Sequence, residues 1–146
     1  MQPEPIPQPV QSRPVIRTVP QMTTLARSSV GNRNYQQDAL YVSESKVLSA
    51  NKKSRLLAVV CDGMGGMADG GKASRTAIQM MVQGFKNIEK APQVNIPAFF
   101  QHGIYAIDQV VSAFPKENGR GSGTTMVACI VEDNKLYWEI SNRMPT

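Results

Sequence analysis

Two acidic residues and an arginine stand at turn-like positions where their side chains could bind a metal ion and a phosphate. Asp62 follows the apolar run 56–61 and opens a glycine-rich stretch, DGMGGMADGGKAS. An aspartate at the end of a buried strand must find donors, water or a cation, because a buried unpaired charge is too costly. Asp38 and Arg33 lie in the earlier polar turn GNRNYQQD. The glycines let the backbone come close to whatever binds beside Asp62.

A hard divalent cation is one ligand that these residue types fit. Mg²⁺ and Mn²⁺ favour octahedral cages of carboxylate, carbonyl and water oxygens. Asp62 offers two oxygens that could bridge two ions, and Gly63 could turn its carbonyl toward a metal at little steric cost. Arg33 near a metal pair suits phosphate, because a guanidinium binds two oxygens while the metals activate water. Taken alone, Arg33 is more often a surface or ion-pair residue and Asp38 a turn residue, so one shared site is a hypothesis.

Two other chemistries fit the glycine loop less well. A nucleotide-binding P-loop would need Ser or Thr after the G-x-x-x-x-G-K frame, and residues 66–73 end in Ala73. A cysteine-dependent phosphatase needs a thiolate stabilised by nearby positive charge. In that case an arginine would follow Cys61 by six residues, and this position is Met67. Cys61 is therefore interpreted as a small core residue.

The composition is that of a globular protein of 146 residues, with 41% hydrophobic and 18% charged residues. The longest apolar run is far short of the ~20 residues that span a bilayer, and no secretory signal is visible. The net charge of +5 is scattered, without clustered Lys or Arg among aromatics. Neither a membrane nor a nucleic acid is therefore expected as a partner. Two cysteines in strand-like runs, Cys61 and Cys129, favour a reducing, cytoplasmic location.

The first 22 residues contain six of the ten prolines and predict a disordered tail or linker, 1–22. The folded domain is expected to cover 23–146. Its strand-like segments are 24–30, 39–45, 55–61, 124–131 and 135–141, and Glu132-Asp133-Asn134 provides the turn between the last two.

Helical spacing of apolar residues predicts two helices. The first begins at Lys72 and has the stripe Ala73, Ala77, Met80, Met81, Phe85 and Ile88. The second begins near Pro97, ends before Pro115 and has the stripe Phe100, Ile104, Ile107, Val111 and Phe114. His102 falls on the polar side of the second helix and is expected at the surface. Strands, a helix pair and more strands predict an α+β domain with antiparallel pairing.

Three segments together resemble the metal-dependent Ser/Thr protein phosphatases of the PPM, or type 2C, family. GNRNYQQDA is similar to the family's G-x-R-x-x-N-[EQ]-D motif, VVCDGMGG to its V-x-D-G-M-G-G signature, and GSGTTMVACIVEDNKLYW to its G-[ST]-T segment. They follow the family's order over about residues 25–138. The departures are Gln36, Gln37 and Met67, where the family often has Asn, Glu and His.

The resemblance implies a sandwich of two antiparallel sheets flanked by helix pairs, with two Mg²⁺ or Mn²⁺ ions at one end. By motif match, Asp62 would bridge both metals, Gly63 would contribute its carbonyl, and Asp38 would bind metal and orient its water. Arg33 would hold the substrate phosphate. The implied reaction is direct hydrolysis of phosphoserine or phosphothreonine in proteins, with a cognate Ser/Thr kinase system as a candidate partner.

The family pattern continues beyond this chain into a G-D-S-R motif and further metal-binding aspartates. Here the last residues are NRMPT, of which Arg143 is either a remnant of that motif or a coincidence. The chain is therefore expected to be a truncated, N-terminal half of such a domain, and a weak or inactive catalyst, because lost ligands weaken metal binding. A non-catalytic remnant or binding module of the same fold stays open as the alternative.

Overall fold

The computed structural model of the chain describes residues 22–31, 35–44, 46–48, 53–64, 69–116 and 119–143. Five strands and two helices lie in this part of the chain. They are β1 (Asp38–Val42), β2 (Lys46–Leu48), β3 (Lys53–Met64), α1 (Asp69–Ile88), α2 (Ile96–Ser112), β4 (Gly123–Glu132) and β5 (Lys135–Arg143). The predicted tail up to residue 21, Arg33 and the glycine-rich residues 65–68 lie outside the described residues.

The described strands form one antiparallel sheet with the order β1-β3-β4-β5. Both β1 and β2 pair with β3, one after the other along the edge opposite β4. β4 and β5 form a hairpin with a turn at Asp133 and Asn134. Asp133 has a φ of 52°, a left-handed conformation that Asp tolerates better than most residues. The predicted α+β class with antiparallel pairing is confirmed. The second sheet of the predicted sandwich is not among the described residues.

Both helices cover the same face of the sheet. α1 begins slightly before the predicted Lys72, at Asp69, and its predicted apolar stripe packs into the core. α2 begins after Asn95, whose side-chain oxygen accepts a hydrogen bond from the Ala98 amide at 3.0 Å. This N-cap satisfies one of the amides that a helix start leaves without an intrahelical partner. His102 is exposed, as predicted.

The core lies between the helices and every second residue of the two central strands. The buried apolar residues are Leu57, Val59, Cys61, Ala73, Ala77, Ile78, Met81, Phe85, Ile96, Phe100, Ile107, Val111, Met126, Ala128 and Ile130. Alternation along a strand sends neighbouring side chains to opposite faces. The remaining residues of each strand therefore face away from the helices.

The opposite face, called the open face below, is apolar across four strands. Cross-strand pairing aligns Leu40, Val60, Val127 and Ile140 in one row. The next row is Val42, Ala58, Cys129 and Trp138, followed by Leu56, Val131 and Leu136. Five of these residues are 49–64% exposed, namely Val60, Val127, Leu136, Trp138 and Ile140. No described helix covers these five residues, whereas Leu56 on the same face is buried, with an exposure of 4%.

A buried ion pair closes the end of the sheet opposite Asp62. Arg55 and Glu132 face each other across β3 and β4, and their side chains form a salt bridge. The Arg55 guanidinium also donates to the Ile88 carbonyl at 2.9 Å and to the Ala91 carbonyl. A cation at the C-terminal end of a helix is favourable because the last carbonyls there have no intrahelical donors. Arg55 thereby connects α1 to the sheet.

One predicted strand is wrong. Residues 24–30 form no strand, and Leu25 within them is 95% exposed. The segment pairs with no described neighbour, so its short apolar pattern has nothing to pack against. The segment predicted as 39–45 is shorter, since β1 ends at Val42, and β2 was not predicted. None of the described helices combines the length and apolar character needed to span a membrane.

Candidate metal centre

Asp38 and Asp62 lie directly opposite each other on β1 and β3. The Gly63 amide donates to the Gln37 carbonyl at 3.2 Å. In the β1–β3 ladder, the hydrogen-bonded pair is therefore Gln37 and Gly63, next to Asp38 and Asp62. Asp38 and Asp62 therefore form a non-hydrogen-bonded pair, in which Cα atoms are about 4.5 Å apart and side chains lie close together. Both residues are exposed, and both belong to the residues that alternate onto the open face.

The electrostatics of this pair favour a cation. Like charges directly opposite in an antiparallel pair destabilise a sheet, by up to about 1 kcal/mol. Positive charge beside the carboxylates, from a guanidinium or a metal ion, offsets this repulsion. Asp38 and Asp62 also stand at the end of the apolar rows of the open face, next to Thr125 and Asn142, which pair with each other on β4 and β5. The open face is thus apolar over most of its length and acidic at one end.

Two threonines of β4 hold the backbone of Asp62. The regular β3–β4 pairing is interrupted beside Asp62 and resumes at Gly63 and Thr124. In the interruption, the Asp62 amide donates to Thr125 Oγ1 at 3.3 Å, and the Thr124 hydroxyl lies 3.0 Å from the Asp62 carbonyl oxygen, which accepts from it. At Asp62, whose carboxylate is the candidate ligand, hydrogen bonds with side-chain hydroxyls therefore replace the backbone hydrogen bonds of the β3–β4 ladder.

Gly63 packs against the start of α1 with no room for a side chain. A Cβ at this position would lie 1.9 Å from the Gly70 carbonyl oxygen and 2.8 Å from that of Gln37. Both are backbone atoms, which cannot move aside as a flexible side chain would. The Gly63 carbonyl oxygen in turn lies 3.1 Å from where a Cβ of Gly70 would be. This close approach brings the first turn of α1 next to Asp62.

A buried serine in α1 fixes the start of β1. Ser74 is fully buried, and its hydroxyl donates to the Gln37 carbonyl over 2.5 Å. The same carbonyl accepts the amide of Gly63. Because Gln37 directly precedes Asp38, these two hydrogen bonds set the position of Asp38 in the sheet. β3 and α1, which are consecutive in the chain, thus both bind one carbonyl of the segment that leads into β1.

The structure brings together three of the four predicted site residues. Asp38, Asp62 and Gly63 are adjacent across two strands, whereas Arg33 lies outside the described residues. Over the described ranges, no group of three or more His, Cys, Asp or Glu is placed to hold a metal ion. The carboxylates available at this site within those ranges are therefore those of Asp38 and Asp62.

The structure opposes the cysteine-dependent alternative. Cys61 is completely buried. Burial raises the pKa of its thiol to about 12, and the hydrogen bond with Thr124 compensates for only part of that rise. A thiol with this pKa stays protonated near neutral pH and is a poor nucleophile, because the thiolate is the reactive form. Cys61 is a core residue, as the sequence predicted.

Lys72, which would bind phosphate in a P-loop, contacts an aromatic ring in this structure. Lys72 Nζ lies 4.4 Å from the centroid of the Phe114 ring, which is cation–π geometry. The side chain therefore joins α1 to the segment after α2. Gly66, the first glycine of the frame, is outside the described residues.

The sequence interpretation missed the residues that position the site. Ser74, Thr124 and Thr125 lie within the motif segments, but the sequence predicted no role for them. A usable signal was present, since two adjacent hydroxyl residues begin the strand that follows a glycine-rich loop. Their hydrogen bonds to Asp62 and Gln37 depend on strand register, which the sequence alone does not define.

Comparison with known proteins gives a weak structural likeness. No protein-family description matches the chain, and no curated protein is similar to it in sequence. Among solved structures, the PP2C phosphatase domain of the cell fate determinant SpoIIE from Bacillus subtilis aligns with a TM-score of 0.47 and 14% identity, over 82% of this chain and 35% of that one. The Mycobacterium tuberculosis serine/threonine phosphatase PstP/Ppp aligns with a TM-score of 0.44 and 21% identity, over 73% and 54%.

The chain therefore spans about a third of the first of these proteins and about half of the second. Both TM-scores are below 0.5, and both identities are below 25%.

Proposed function

We propose that the protein belongs with the metal-dependent type 2C phosphatases and acts on phosphoserine and phosphothreonine in proteins. The observation that carries this proposal is the pairing of Asp38 with Asp62 at an exposed end of the sheet. Each of these residues comes from a separate segment that resembles a motif of that family. Adjacent carboxylates at a sheet end provide the donor type that Mg²⁺ and Mn²⁺ prefer.

The residues present fit such metal ions in chemistry, and the facing positions of Asp38 and Asp62 on adjacent strands support the proposal. Carboxylates, a backbone carbonyl and water are hard oxygen ligands. Asp62 and Asp38 would hold the ions through their carboxylates, and Gly63 through its backbone carbonyl. When bound, the ions would supply the positive charge that activates water and polarises the phosphate. Two carboxylates compensate only half of the positive charge of two divalent cations. The proposal therefore includes further ligands.

Asp38 and Arg33 would have separate roles in the hydrolysis. Asp38 would accept a hydrogen bond from the attacking water and so orient it toward phosphorus. Arg33 would bind two phosphate oxygens with its guanidinium, because the planar fork matches their spacing. Water would form the new P–O bond as the bond to the serine or threonine oxygen breaks, and of the two water protons one would end on that leaving oxygen and the other on the released phosphate. No covalent phosphoenzyme is required.

The finer architecture of the family is also part of the proposal. The second sheet of the sandwich would pack on the open face, with the carboxylate pair at the rim between the sheets. Residues 23–146 would then be the first half of the phosphatase domain, and phosphoproteins regulated by a Ser/Thr kinase its substrates. Both cysteines are free thiols, which supports a reducing, cytoplasmic setting.

Titration of Mn²⁺ by calorimetry, followed by hydrolysis of a phosphothreonine peptide, tests the proposal. We expect binding heat that disappears in Asp62→Ala and slow, Mn²⁺-dependent release of phosphate. Asp133→Asn is the matched control, because Asp133 is an exposed carboxylate in the β4–β5 turn. Equal Mn²⁺ binding by the original chain and Asp62→Ala contradicts the metal site. Binding without hydrolysis contradicts the catalytic part and favours the non-catalytic module.

A further inference from the structure

The helix pair carries a groove between α1 and α2, called the helix groove below. The two helices approach closely there, because the Phe99 ring lies 3.2 Å from where a Cβ of Gly84 would be. Gly103 lies at the same contact, next to the end of the Met81 side chain. Small side chains leave a depression of about 520 Å³, and its apolar lining includes Met80, Gly84, Val94, Ala98, Phe99 and Ala106.

The helix groove opens on the side of the helices that faces away from the sheet. Met81 and Phe100 are buried in the core, whereas His102 and Ala106 at the groove are exposed. Among the described residues that line the groove, none is Asp, Glu, Lys or Arg. The second sheet of the proposed sandwich would pack on the open face and would leave this groove accessible.

The exposed side of α1 is positively charged along its whole length. Six exposed residues recur there at spacings of three and four and form one row along α1 and the turn after it, namely Lys72, Arg75, Gln79, Gln83, Lys86 and Lys90. This set is called the basic row below. Within residues 69–116, every exposed Asp, Glu, Lys or Arg is a Lys or Arg, whereas Asp69, Glu89 and Asp108 are half-buried. The surface of the helix pair therefore presents charge of one sign.

The basic row borders the helix groove, which makes the combined surface complementary to an acidic segment with an apolar face. Gln83 and Lys86 are followed directly by Gly84 and Asn87 of the groove lining. Amphipathic helices bind such grooves with apolar anchors at spacings of three and four residues. Carboxylates on the other face of a bound segment would be attracted by the basic row, because such attraction extends over about 8 Å at physiological salt.

Two other occupants fit this surface less well. An amphipathic face that enters a membrane presents protruding apolar side chains, whereas the apolar side chains here line a depression. The proline-rich tail contains Arg13 and Arg17 against a single acidic residue, Glu4. Its charge therefore has the same sign as the basic row.

We propose that the helix groove and the basic row form a docking site for an acidic amphipathic segment of a partner protein. The apolar anchors of the segment occupy the groove, and its carboxylates lie against the basic row. The docking site is separate from the candidate metal centre. Gly84 follows Gly70 by 14 residues of α1, which corresponds to about 21 Å along the helix. The inference needs neither the metal nor the phosphatase activity.

Fluorescence anisotropy of a labelled synthetic peptide, measured in EDTA at low salt, tests the docking site. The peptide is helical, with Leu at i, i+4, i+7 and i+11 on one face and Glu on the other. A second peptide has Lys in place of Glu, and a third has the residues of the first in an order without an apolar face. We expect the Glu peptide to bind at least about tenfold more tightly than either, and its affinity to fall at high salt.

Variants of the chain locate the bound peptide. Ala106→Gln places a larger side chain in the groove and should weaken binding roughly tenfold. Ala113→Gln is the matched control, because Ala113 is exposed after the end of α2 and does not line the groove. Lys86→Gln combined with Lys90→Gln should weaken binding roughly three- to tenfold at low salt and little at high salt. Trp138→Gln, on the open face, should bind the peptide like the original chain.

Equal affinity for the Glu and Lys peptides overturns the proposal, as does the absence of binding by any of the peptides. Tighter binding of a peptide of residues 1–21, or of phosphatidylserine vesicles, overturns it in favour of the tail or a membrane. Loss of binding in Trp138→Gln without an effect of Ala106→Gln would place the peptide on the open face and also overturn it. Mn²⁺ binding is measured separately, so failure of the metal site and failure of the docking site are distinguishable.

Discussion

Asp38 and Asp62 face each other across β1 and β3 in a non-hydrogen-bonded pair, with both residues exposed. The pair combines two segments between which β2 lies in the sequence. Its position at the end of the open face gives the site access to solvent.

Asp38→Asn should lower the stability that the chain gains from metal. In EDTA, the free energy of unfolding should change by no more than a few tenths of a kcal/mol, because Asp38 is exposed. With saturating Mn²⁺, the original chain should gain stability by ligand binding and the variant should gain less. Urea denaturation under both conditions measures the two changes. A variant that gains as much as the original chain from Mn²⁺ would exclude Asp38 as a ligand.

Gly63→Ala should be strongly destabilising. The new methyl would lie 1.9 Å from a backbone oxygen of Gly70, so the start of α1 would have to move away from β3. Overpacking of a rigid site costs about 1–3 kcal/mol, and this contact falls at the upper end. The midpoint of urea denaturation measures the loss.

Gly103→Ala is the matched control for Gly63→Ala. A Cβ at Gly103 would be 3.4 Å from the end of the flexible Met81 side chain. Alanine also favours a helix interior over glycine by up to about 1 kcal/mol. Unchanged or increased stability is expected for this variant. If both alanine variants lost stability equally, close approach at Gly63 would not be the reason.

The elements with strong local patterns could be predicted from the sequence. The apolar stripe through Ala77, Met81 and Phe85 has helical spacing, and these residues are buried in α1. The hairpin turn at Asp133 was also predicted, because its residue types favour such turns. In both cases, the structure that the local residue pattern favours is the one found in the folded chain.

Features that depend on pairing between distant segments could not be predicted in the same way. Leu25 has a strand-like sequence around it, yet none of the described strands pairs with this segment. The threonine contacts to Asp62 require the β3–β4 register, and the proximity of Asp38 to Asp62 was expected only from the family resemblance. The roles of these residues in metal binding, and that of Arg33 in phosphate binding, stay predictions.

Arg55→Met should cost about 3–5 kcal/mol in the free energy of unfolding. The substitution leaves the buried carboxylate of Glu132 without its guanidinium partner and removes the donors to the Ile88 and Ala91 carbonyls. Denaturation of the single variants and of Arg55→Met with Glu132→Leu forms a double-mutant cycle. The double variant should lose less than Arg55→Met alone, because Glu132→Leu also removes the carboxylate that had bound Arg55. Strict additivity would contradict a coupled pair.

Cys61 should lower stability at alkaline pH and resist alkylation in the folded chain. Its thiol has an ordinary pKa of 9.0 that burial raises to about 12. Below pH 9 the thiol is protonated in both states and contributes no pH dependence. Between 9 and 12 the unfolded chain releases the proton while the folded chain retains it, so the free energy of unfolding should fall by up to about 1.4 kcal/mol per pH unit.

A Cys129→Ser background isolates this effect, since Cys61 is then the only thiol. Alkylation should be slow in buffer near neutral pH and fast in urea. Urea denaturation over the alkaline range should show a steeper loss of stability than Cys61→Ala in the same background, which controls for the ionisation of lysines and tyrosines. Equal slopes, or rapid alkylation of the folded chain, would mean that Cys61 is accessible and would reopen the cysteine-dependent mechanism.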